Sequence, residues 1–474
     1  IDSLKAFRDR FGIPISDEEL QYVPYYRPAP DSPEMRYMRQ RREELGGQIP
    51  ARRAGMELLT APPLSDFDNQ LKGSGKREIS TTMAFVRMLS GLVKDKAIGE
   101  RVVPIVPDEA RTFGMEGMFR QLGIYSSVGQ RYTPQDAGQI MFYKEDVKGQ
   151  ILEEGITEAG AFSAWLAAAT SYSTSAYSMV PFYIFYSMFG FQRIGDLAWA
   201  AGDCQARGFL MGATAGRTTL NGEGLQHQDG HSHLMASTIP NCVSYDPAYA
   251  YELAVIIQDG LRRMYAEGEN RFYYITLMNE NYLQPAMPEG VEEGIIQGMY
   301  RRLRASGRHE RRVQLLGSGT ILREVEAAAR ILDEKYRVDA DIWSMTSVNQ
   351  LQREGKAAVR WNMLHPDEEP RIPYVTRLLS EDGGPFIAAT DYIKAYTDQI
   401  REFVPGRFTV LGTDGYGRSD TRDKLRAFFE VRREYVVLAA LKSLADEGRF
   451  EAAAVKEAMR DMGIPADKVD PLTV

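Results

Sequence analysis

The sequence predicts an α/β protein with two domains, each built on a largely parallel sheet covered by helices, after an extended lead segment. Three observations support this prediction. The 474 residues are too many for one ordinary domain and fit two or three. Strand-like and helix-like patterns alternate, which favours parallel sheets with helices on both faces. The alternation stops at a proline-containing break and then resumes, which indicates a second domain of the same kind.

The composition argues against several classes of protein. Hydrophobic residues make up 44% and charged residues 26%, both ordinary for a globular chain. The formal charge of −8 argues against a nucleic-acid binder, which needs a basic face to neutralise phosphates. No apolar run approaches the roughly 20 residues that span a bilayer, so we expect no membrane partner. The two cysteines, Cys204 and Cys242, suit a reducing compartment, and we expect a cytoplasmic location.

The lead segment, residues 1–73, carries many prolines and charges and little clean periodicity. Residues 17–20 follow Ser16 and have the pattern of a helix start, an acidic first turn behind a serine cap. Four prolines between residues 24 and 33 then break the pattern. We expect this segment to be an extended linker that wraps a neighbouring domain.

The first α/β domain is predicted over residues 74–290. It opens with an amphipathic helix behind Ser80, whose hydroxyl can cap the first turn. Residues 101–106 read as a short buried strand. An alanine-rich helix follows at 159–171, and the apolar run 180–186 has the composition of a buried strand.

The second α/β domain is predicted over residues 291–474. Its predicted strands lie at 313–316, 341–345, 386–389 and 409–411. Its predicted helices include 322–335 and 420–429, with two more that close the chain. The repeated alternation again favours a largely parallel sheet.

Two adjacent acids, Asp108 and Glu109, come after Pro107 at the end of the strand at 101–106. Open α/β sheets bind ligands at the carboxyl ends of their strands, so both acids are candidate site residues. The alternative is that they are solvated, or that they pair with Arg111.

Three of the five histidines, His227, His231 and His233, fall within one stretch of seven residues in a glycine-rich loop. One interpretation is a zinc site of a hydrolase, with Asp229 or Glu109 as a fourth ligand. Another is that one histidine transfers protons or orients substrate while the others support it, and we prefer this one. A solvated polar turn is the third.

An acid, a helix, a strand and an aromatic pair follow one another between Glu158 and Phe189. Alone, an acid at a helix start is usually a partner of the helix dipole, worth roughly a few tenths of a kcal/mol. Here it is followed by an alanine-rich helix, a strand, and then Tyr186 and Phe189. This order resembles the pyrimidine-binding site of transketolase-like thiamin diphosphate enzymes.

Longer strings narrow the resemblance. They are PDEARTFGMEG (107–117), YTPQD (132–136), YKEDVKGQILEEGITEAG (143–160), FYIFYSMFGFQRIGDLAWAAGD (182–203), GRTTLNGEGLQHQDGHSH (216–233) and LGTDGYGRSDTR (411–422). Together they resemble the homodimeric bacterial pyruvate dehydrogenase decarboxylase component, a thiamin diphosphate-dependent family. The resemblance covers nearly the whole chain.

The resemblance implies roles for individual residues. Glu158 resembles the catalytic carboxyl group that hydrogen-bonds N1′ of the cofactor's aminopyrimidine. Tyr186 and Phe189 resemble the aromatic residues that pack against that flat ring. His227 resembles the active-site histidine that faces the reacting end of the cofactor.

The acids Asp108 and Glu109 resemble the catalytic acids beside the substrate channel of that family. The reaction implied is oxidative decarboxylation of pyruvate, with transfer of the acetyl unit to a lipoyl group. The implied partners are a second copy of the chain and the lipoyl acetyltransferase component of the complex.

One departure from the family is large. The family holds the cofactor diphosphate through Mg²⁺, using a Gly-Asp-Gly motif and a later Asn in an amino-terminal domain, and this motif is absent here. We therefore expect no metal ligands in this chain, which would supply the pyrimidine side of the site and be inactive without the amino-terminal domain. A zinc-dependent hydrolase and a non-catalytic assembly module remain as alternatives.

Overall fold

The computed structural model describes residues 1–47, 56–107, 110–135, 138 and 143–474. It contains two compact units, Ile1–Gly55 and Met56–Val474. No helix within these described ranges combines the length and apolar character that crossing a bilayer requires.

The first unit contains three helices. They are α1 (Asp2–Phe11), α2 (Asp17–Leu20) and α3 (Pro33–Glu44). The predicted helix start is confirmed: Ser16 Oγ accepts a hydrogen bond from the Glu19 backbone N–H at 3.1 Å, and the Glu19 carboxylate accepts one from the Ser16 N–H at 2.9 Å. The lead is therefore largely helical where an extended segment was expected, because Ser16 and Ser32 each cap a helix.

The second unit begins at Met56, so residues 56–73, assigned from the sequence to the lead, belong to it. Leu59 and Phe67 from this segment are buried in its core. The backbone N–H of Leu59 donates to the Tyr265 carbonyl at 2.8 Å.

The first α/β half of this unit, residues 56–290, contains the following elements in chain order. They are α4 (Asp68–Leu71), β1 (Glu78–Ile79), α5 (Thr81–Leu92), β2 (Val102–Val106), α6 (Glu116–Leu122), β3 (Ile124–Tyr125), β4 (Glu145–Asp146), β5 (Leu152–Glu153), α7 (Glu158–Ala169), α8 (Ser171–Thr174), β6 (Val180–Tyr186), α9 (Ser187–Asp203), β7 (Phe209–Ala213), α10 (Ser232–Ser237), β8 (Cys242–Tyr245), α11 (Ala250–Leu261), β9 (Phe272–Thr276) and β10 (Tyr282–Leu283). Among the described residues, six of these strands form one sheet in the order β5-β2-β6-β7-β9-β8, and every neighbouring pair is parallel.

Strand β6 explains why helices cover both faces of this sheet. Its side chains alternate between faces, as strand geometry requires. Phe182 belongs to the same core as α5 and α11, whereas Tyr183 and Phe185 belong to the core formed with α7 and α9. The predicted parallel sheet covered by helices is confirmed in this half.

The second α/β half, residues 291–474, repeats the arrangement. Its elements are α12 (Glu292–Gln297), β11 (Met299–Leu303), β12 (Arg311–Gly317), α13 (Leu322–Ile331), β13 (Val338–Met345), α14 (Val348–Leu364), α15 (Tyr374–Leu379), β14 (Phe386–Ala389), α16 (Lys394–Asp398), β15 (Phe408–Leu411), α17 (Arg422–Phe428), α18 (Arg433–Asp446) and α19 (Ala452–Asp461). Within the described residues, the sheet order is β11-β13-β12-β14-β15. The four predicted strands pair in parallel, and β11 adds an antiparallel edge that was not predicted.

Candidate active site

The aromatic pair lies where β6 gives way to α9. Tyr186 is the last residue of β6 and Ser187 the first of α9, so the strand passes directly into the helix at the carboxyl edge of the sheet. Tyr186 and Phe189 are half-buried, and their ring centroids lie 6.2 Å apart at an angle of 80°. Two aromatic rings therefore face the edge at which parallel α/β sheets bind ligands.

Close packing of α9 on β6 depends on Gly190. A Cβ atom added to this residue would lie 1.8 Å from the ring of Phe185, which is fully buried. Only glycine allows the helix to approach the strand this closely. This approach fixes the position of the neighbouring Phe189.

His227 packs against both members of the aromatic pair. Its ring centroid lies 4.9 Å from that of Tyr186 and 4.6 Å from that of Phe189. Its Nδ1 atom lies 3.3 Å from Glu223 Oε2, and 19% of the side chain is exposed. The structure thus brings together three of the residues singled out in the sequence.

Glu158 is the first residue of α7, behind the N-cap Thr157. Its side chain is 13% exposed, and its Oε1 atom pairs with the guanidinium of Arg193 on α9. That guanidinium lies 4.2 Å from the ring centroid of Phe189. Arg193 therefore joins Glu158 to the aromatic pair. Among the described residues, none donates a hydrogen bond to the second carboxylate oxygen, Oε2.

The remaining two histidines of the loop have separate partners. His233 is buried, its Nε2 atom lies 3.0 Å from Thr276 Oγ1, and burial lowers its pKa to about 4. His231 lies 3.0 Å from the Gln192 amide nitrogen. The three histidines do not bring their ring nitrogens together as ligands of one ion would require, so the geometry gives no support to the zinc site.

Elsewhere in the described part of the chain, one group of potential ligand atoms does converge: His309, Asp333 and Asp339. Its side chains already have hydrogen-bond or ion-pair partners within the protein. His309 Nε2 lies 2.8 Å from Asp333, Arg308 donates to the other Asp333 oxygen at 2.6 Å, and Ser306 donates to Asp339 at 2.8 Å. The group joins the connection between β11 and β12, which carries His309, to Asp333 after α13 and to Asp339 on β13.

Asp108 and Glu109 lie outside the described residues. The segment that follows them reaches the site, because the ring centroid of Phe113 lies 5.2 Å from that of Tyr186. Phe113 is itself buried.

The loop that carries His227 is held by the second α/β half. The Asp391 carboxylate accepts hydrogen bonds from the backbone N–H groups of Thr218 (2.8 Å) and Thr219 (3.0 Å). The Gln228 side-chain oxygen accepts one from the Arg418 backbone N–H at 2.7 Å. The segment that contains His227 is therefore anchored at both ends, by hydrogen bonds to residues 170 or more positions away in the sequence.

Two residues of this arrangement were not singled out in the sequence. Arg193 follows Phe189 by four positions on α9, and this spacing places both on one helical face. Glu223 precedes His227 by four positions within the glycine-rich loop. The first spacing was a usable signal. The spacing between Glu223 and His227 was not a usable signal, because the helical turn here contains only the three residues Leu225–His227 and does not reach Glu223.

The arrangement has a clear chemical capacity. A carboxylate held by an arginine, two half-buried aromatic rings and an imidazole lie at one sheet edge. Such a set can hold a flat, nitrogen-containing ring by a hydrogen bond and by ring packing, with a titratable group nearby.

Two family models match the chain. Residues 59–285 match the pyruvate dehydrogenase E1 component middle domain, and residues 298–432 match the transketolase-like C-terminal domain.

Curated relatives match the whole chain. The pyruvate dehydrogenase E1 component of Pseudomonas aeruginosa is 63% identical over 100% of this chain and 54% of its own length. That of Escherichia coli K12 is 56% identical over 99% of this chain and 53% of its own length. The chain spans about half the length of the curated relatives it matches.

Solved structures share the fold at low identity. Transketolase from Leishmania mexicana matches with a TM-score of 0.59 at 15% identity, over 81% of this chain and 49% of its own. Transketolase from Campylobacter jejuni matches with a TM-score of 0.57 at 18% identity, over 79% and 49%. The predicted fold class is thereby confirmed. With both domain models matched in order and relatives this similar along its full length, the chain belongs to the pyruvate dehydrogenase E1 component family.

Proposed function

We propose that this chain supplies the pyrimidine-binding side of a thiamin diphosphate site in an enzyme that oxidatively decarboxylates pyruvate and transfers the acetyl unit to a lipoyl group. The observation that supports the proposal most directly is the grouping of Glu158, Tyr186, Phe189 and His227 at one sheet edge through Arg193. The names of the relatives supply the reaction.

The residues fit the aminopyrimidine of thiamin diphosphate. Glu158 Oε1 is fixed by Arg193, while Oε2 is open to a hydrogen bond with a ring nitrogen as far as the described residues go. The rings of Tyr186 and Phe189 are half-buried, so each retains accessible surface for a flat heterocycle. When bound, the cofactor supplies the carbon nucleophile and the electron sink that decarboxylation of a 2-oxo acid requires.

Each residue then has a separate task. Glu158 holds a proton contact at pyrimidine N1′, and Arg193 keeps the carboxylate in position for it. Tyr186 and Phe189 orient the ring. His227 moves protons at the reacting end, where its contact with Glu223 steadies the imidazole.

The remaining assignments extend the proposal. Asp108 and Glu109 act beside the substrate channel. The diphosphate and its Mg²⁺ bind to an amino-terminal domain, and the complete site forms between two copies of the subunit. The partner that receives the acetyl unit is the lipoyl acetyltransferase component, and the location is the cytoplasm.

The test uses the full-length enzyme with the substitutions Glu158→Ala and Glu158→Gln. Both should lower pyruvate turnover by about a hundredfold or more, because the proton contact is lost, while the protein stays folded. Glu154→Gln is a matched control: Glu154 is exposed four residues earlier, and its substitution should leave turnover within about twofold. Ordinary turnover in both Glu158 variants would refute the assignment.

Two further measurements address the alternatives. One tightly held zinc ion per chain in elemental analysis would favour the hydrolase. Thiamin diphosphate titration addresses the assembly module: if wild-type protein binds the cofactor and Glu158→Ala binds it at least about tenfold more weakly, the module is excluded.

A further inference from the structure

A cavity of about 650 Å³ lies in the first α/β half, between the segment 62–74 and helix α5. Its volume is within the range of small-molecule sites, about 300 to 1,000 Å³. None of Glu158, Tyr186, Phe189 and His227 lines it. The cavity is therefore separate from the candidate active site.

Two glutamine side chains line this cavity and differ in their partners. Both polar atoms of the Gln284 side chain have protein partners. Its Oε1 accepts a hydrogen bond from the Ala250 backbone N–H at 2.9 Å, and its Nε2 donates one to the Ile79 carbonyl at 2.7 Å. Gln70 is only 8% exposed, yet it forms no side-chain hydrogen bond with any residue that the structure describes. The amide oxygen and nitrogen of Gln70 are open to solvent at the cavity, so a bound polar molecule can form hydrogen bonds with them.

Three cations stand at the same cavity. Arg77, Arg87 and Lys94 are exposed, and none of them forms an ion pair or side-chain hydrogen bond within the described residues. Two acids, Asp66 and Asp95, also line the cavity. Asp95 already accepts hydrogen bonds from two backbone N–H groups of its own turn, at 2.8 and 2.9 Å. The cations thus outnumber the acids, and their charges are not neutralised by carboxylates in contact.

We propose that this cavity binds a small phosphate-bearing molecule. Its phosphate meets Arg77, Arg87 and Lys94, since guanidinium and ammonium groups are the side chains that best match phosphate oxygens. Its uncharged part enters the cavity and hydrogen-bonds the Gln70 amide. The binding does not depend on the proposed thiamin diphosphate site.

The direct test is calorimetric titration of the full-length protein with three probes: inorganic phosphate, adenosine 5′-monophosphate and glucose 6-phosphate. The Arg77→Gln/Arg87→Gln double variant should bind the preferred organic phosphate at least about tenfold more weakly. Gln70→Leu should weaken the organic phosphate more than inorganic phosphate. Preference for one organic probe identifies the body of the ligand as a nucleoside or a sugar.

Two further variants separate binding in the cavity from general electrostatics. Lys76→Gln removes an exposed charge that does not line the cavity, and it should leave affinity within about twofold. Gly91→Leu should block binding without unfolding the protein, because a Cβ at Gly91, which lines the cavity, meets nothing within 4 Å.

Three results would overturn the proposal. They are no binding of any probe at millimolar concentration, equal binding by wild type and the double variant, or a crystal structure in which the protein's own chain fills the cavity. Thiamin diphosphate-dependent turnover is measured in parallel, and the cavity variants should keep it. Loss of phosphate binding with turnover intact therefore bears on the cavity alone.

Discussion

Arg193 pairs with Glu158 from the neighbouring helix, and the same guanidinium lies over the ring of Phe189. One cation thus orients an acid and an aromatic ring that were assigned to the same site. Because Arg193 is half-exposed, solvent screens the pair, and we expect its effect on activity to exceed its effect on stability.

In the full-length enzyme, Arg193→Met should weaken thiamin diphosphate binding by about tenfold, since Glu158 loses the group that holds it in place. Arg193→Lys should lie between Arg193→Met and wild type, because it keeps the charge but not the planar guanidinium. Cofactor titration followed by activity measures both. Unchanged affinity in Arg193→Met would show that the pair does not position Glu158.

Gly190→Ala should lower the free energy of unfolding by about 1–3 kcal/mol, because its methyl group would overlap the buried ring of Phe185. Urea unfolding followed by circular dichroism measures the loss. Gly195→Ala is the matched control on the same helix. Its Cβ meets only Met235 Cε at 3.9 Å, so alanine should be neutral or stabilising. Equal effects of the two substitutions would contradict this account of the packing between α9 and β6.

Arg426→Met should destabilise the protein by about 3 kcal/mol, the low end expected for a broken buried ion pair, because Arg323 still donates to Glu280 at 2.8 Å. Burial alone would raise the pKa of Glu280, but Arg426, Arg323 and Arg422 hold it below its ordinary value. The side chains of Arg426 and Glu280 are 6% and 13% exposed, so water can do little to stabilise the Glu280 charge once Arg426 is removed. Thermal unfolding measures the loss. The Arg426→Met/Glu280→Gln double variant should recover part of it, and no recovery would contradict the mechanism.

Two buried groups should change the free energy of unfolding in opposite directions as the pH rises. His233 and Asp246 both contact the hydroxyl of Thr276, at 3.0 and 2.7 Å. Burial lowers the pKa of His233 from 6.5 to about 4, so its contribution is lost as pH falls through that window. Burial raises the pKa of Asp246 from 3.8 to about 7, so its contribution is lost as pH rises.

Asp246→Asn removes one of these opposed contributions. Between about pH 4 and pH 6.5 the variant should gain stability with rising pH more steeply than wild type, by at most about 1.4 kcal/mol per pH unit. Urea unfolding at several pH values gives the two slopes. Identical slopes would mean that Asp246 is ionised throughout this range in the folded protein.

Much of the fold was predictable because its strands are continuous apolar runs. The runs at 180–186 and 386–389 are buried on both faces, and the structure contains both strands. Strand β11 was not predictable, because its Arg301 and Arg302 suit an exposed segment and only pairing with β13 makes it a strand. In the first unit the start of α2 was predicted, whereas α3 was not, because the prolines between residues 24 and 33 lead directly into it.

The candidate site was predictable only in part. Tyr186 and Phe189 are three residues apart, so a strand followed by a helix places both at one edge. The approach of His227 depends on contacts made by Asp391 and Arg418, which lie in the second α/β half, and no local pattern contains that information. The zinc interpretation depended on the crowding of histidines in sequence, and the fold directs their rings to different neighbours.

The Asp391 anchor has a consequence for how the enzyme can be divided. The second α/β half contributes none of the proposed catalytic groups, yet its Asp391 holds Thr218 and Thr219 at the start of the loop that carries His227. A protease cut that released this half would leave Tyr186 and Phe189 in place but would remove the hydrogen bonds that position the loop of His227. Activity would then be lost although every proposed catalytic side chain was still present.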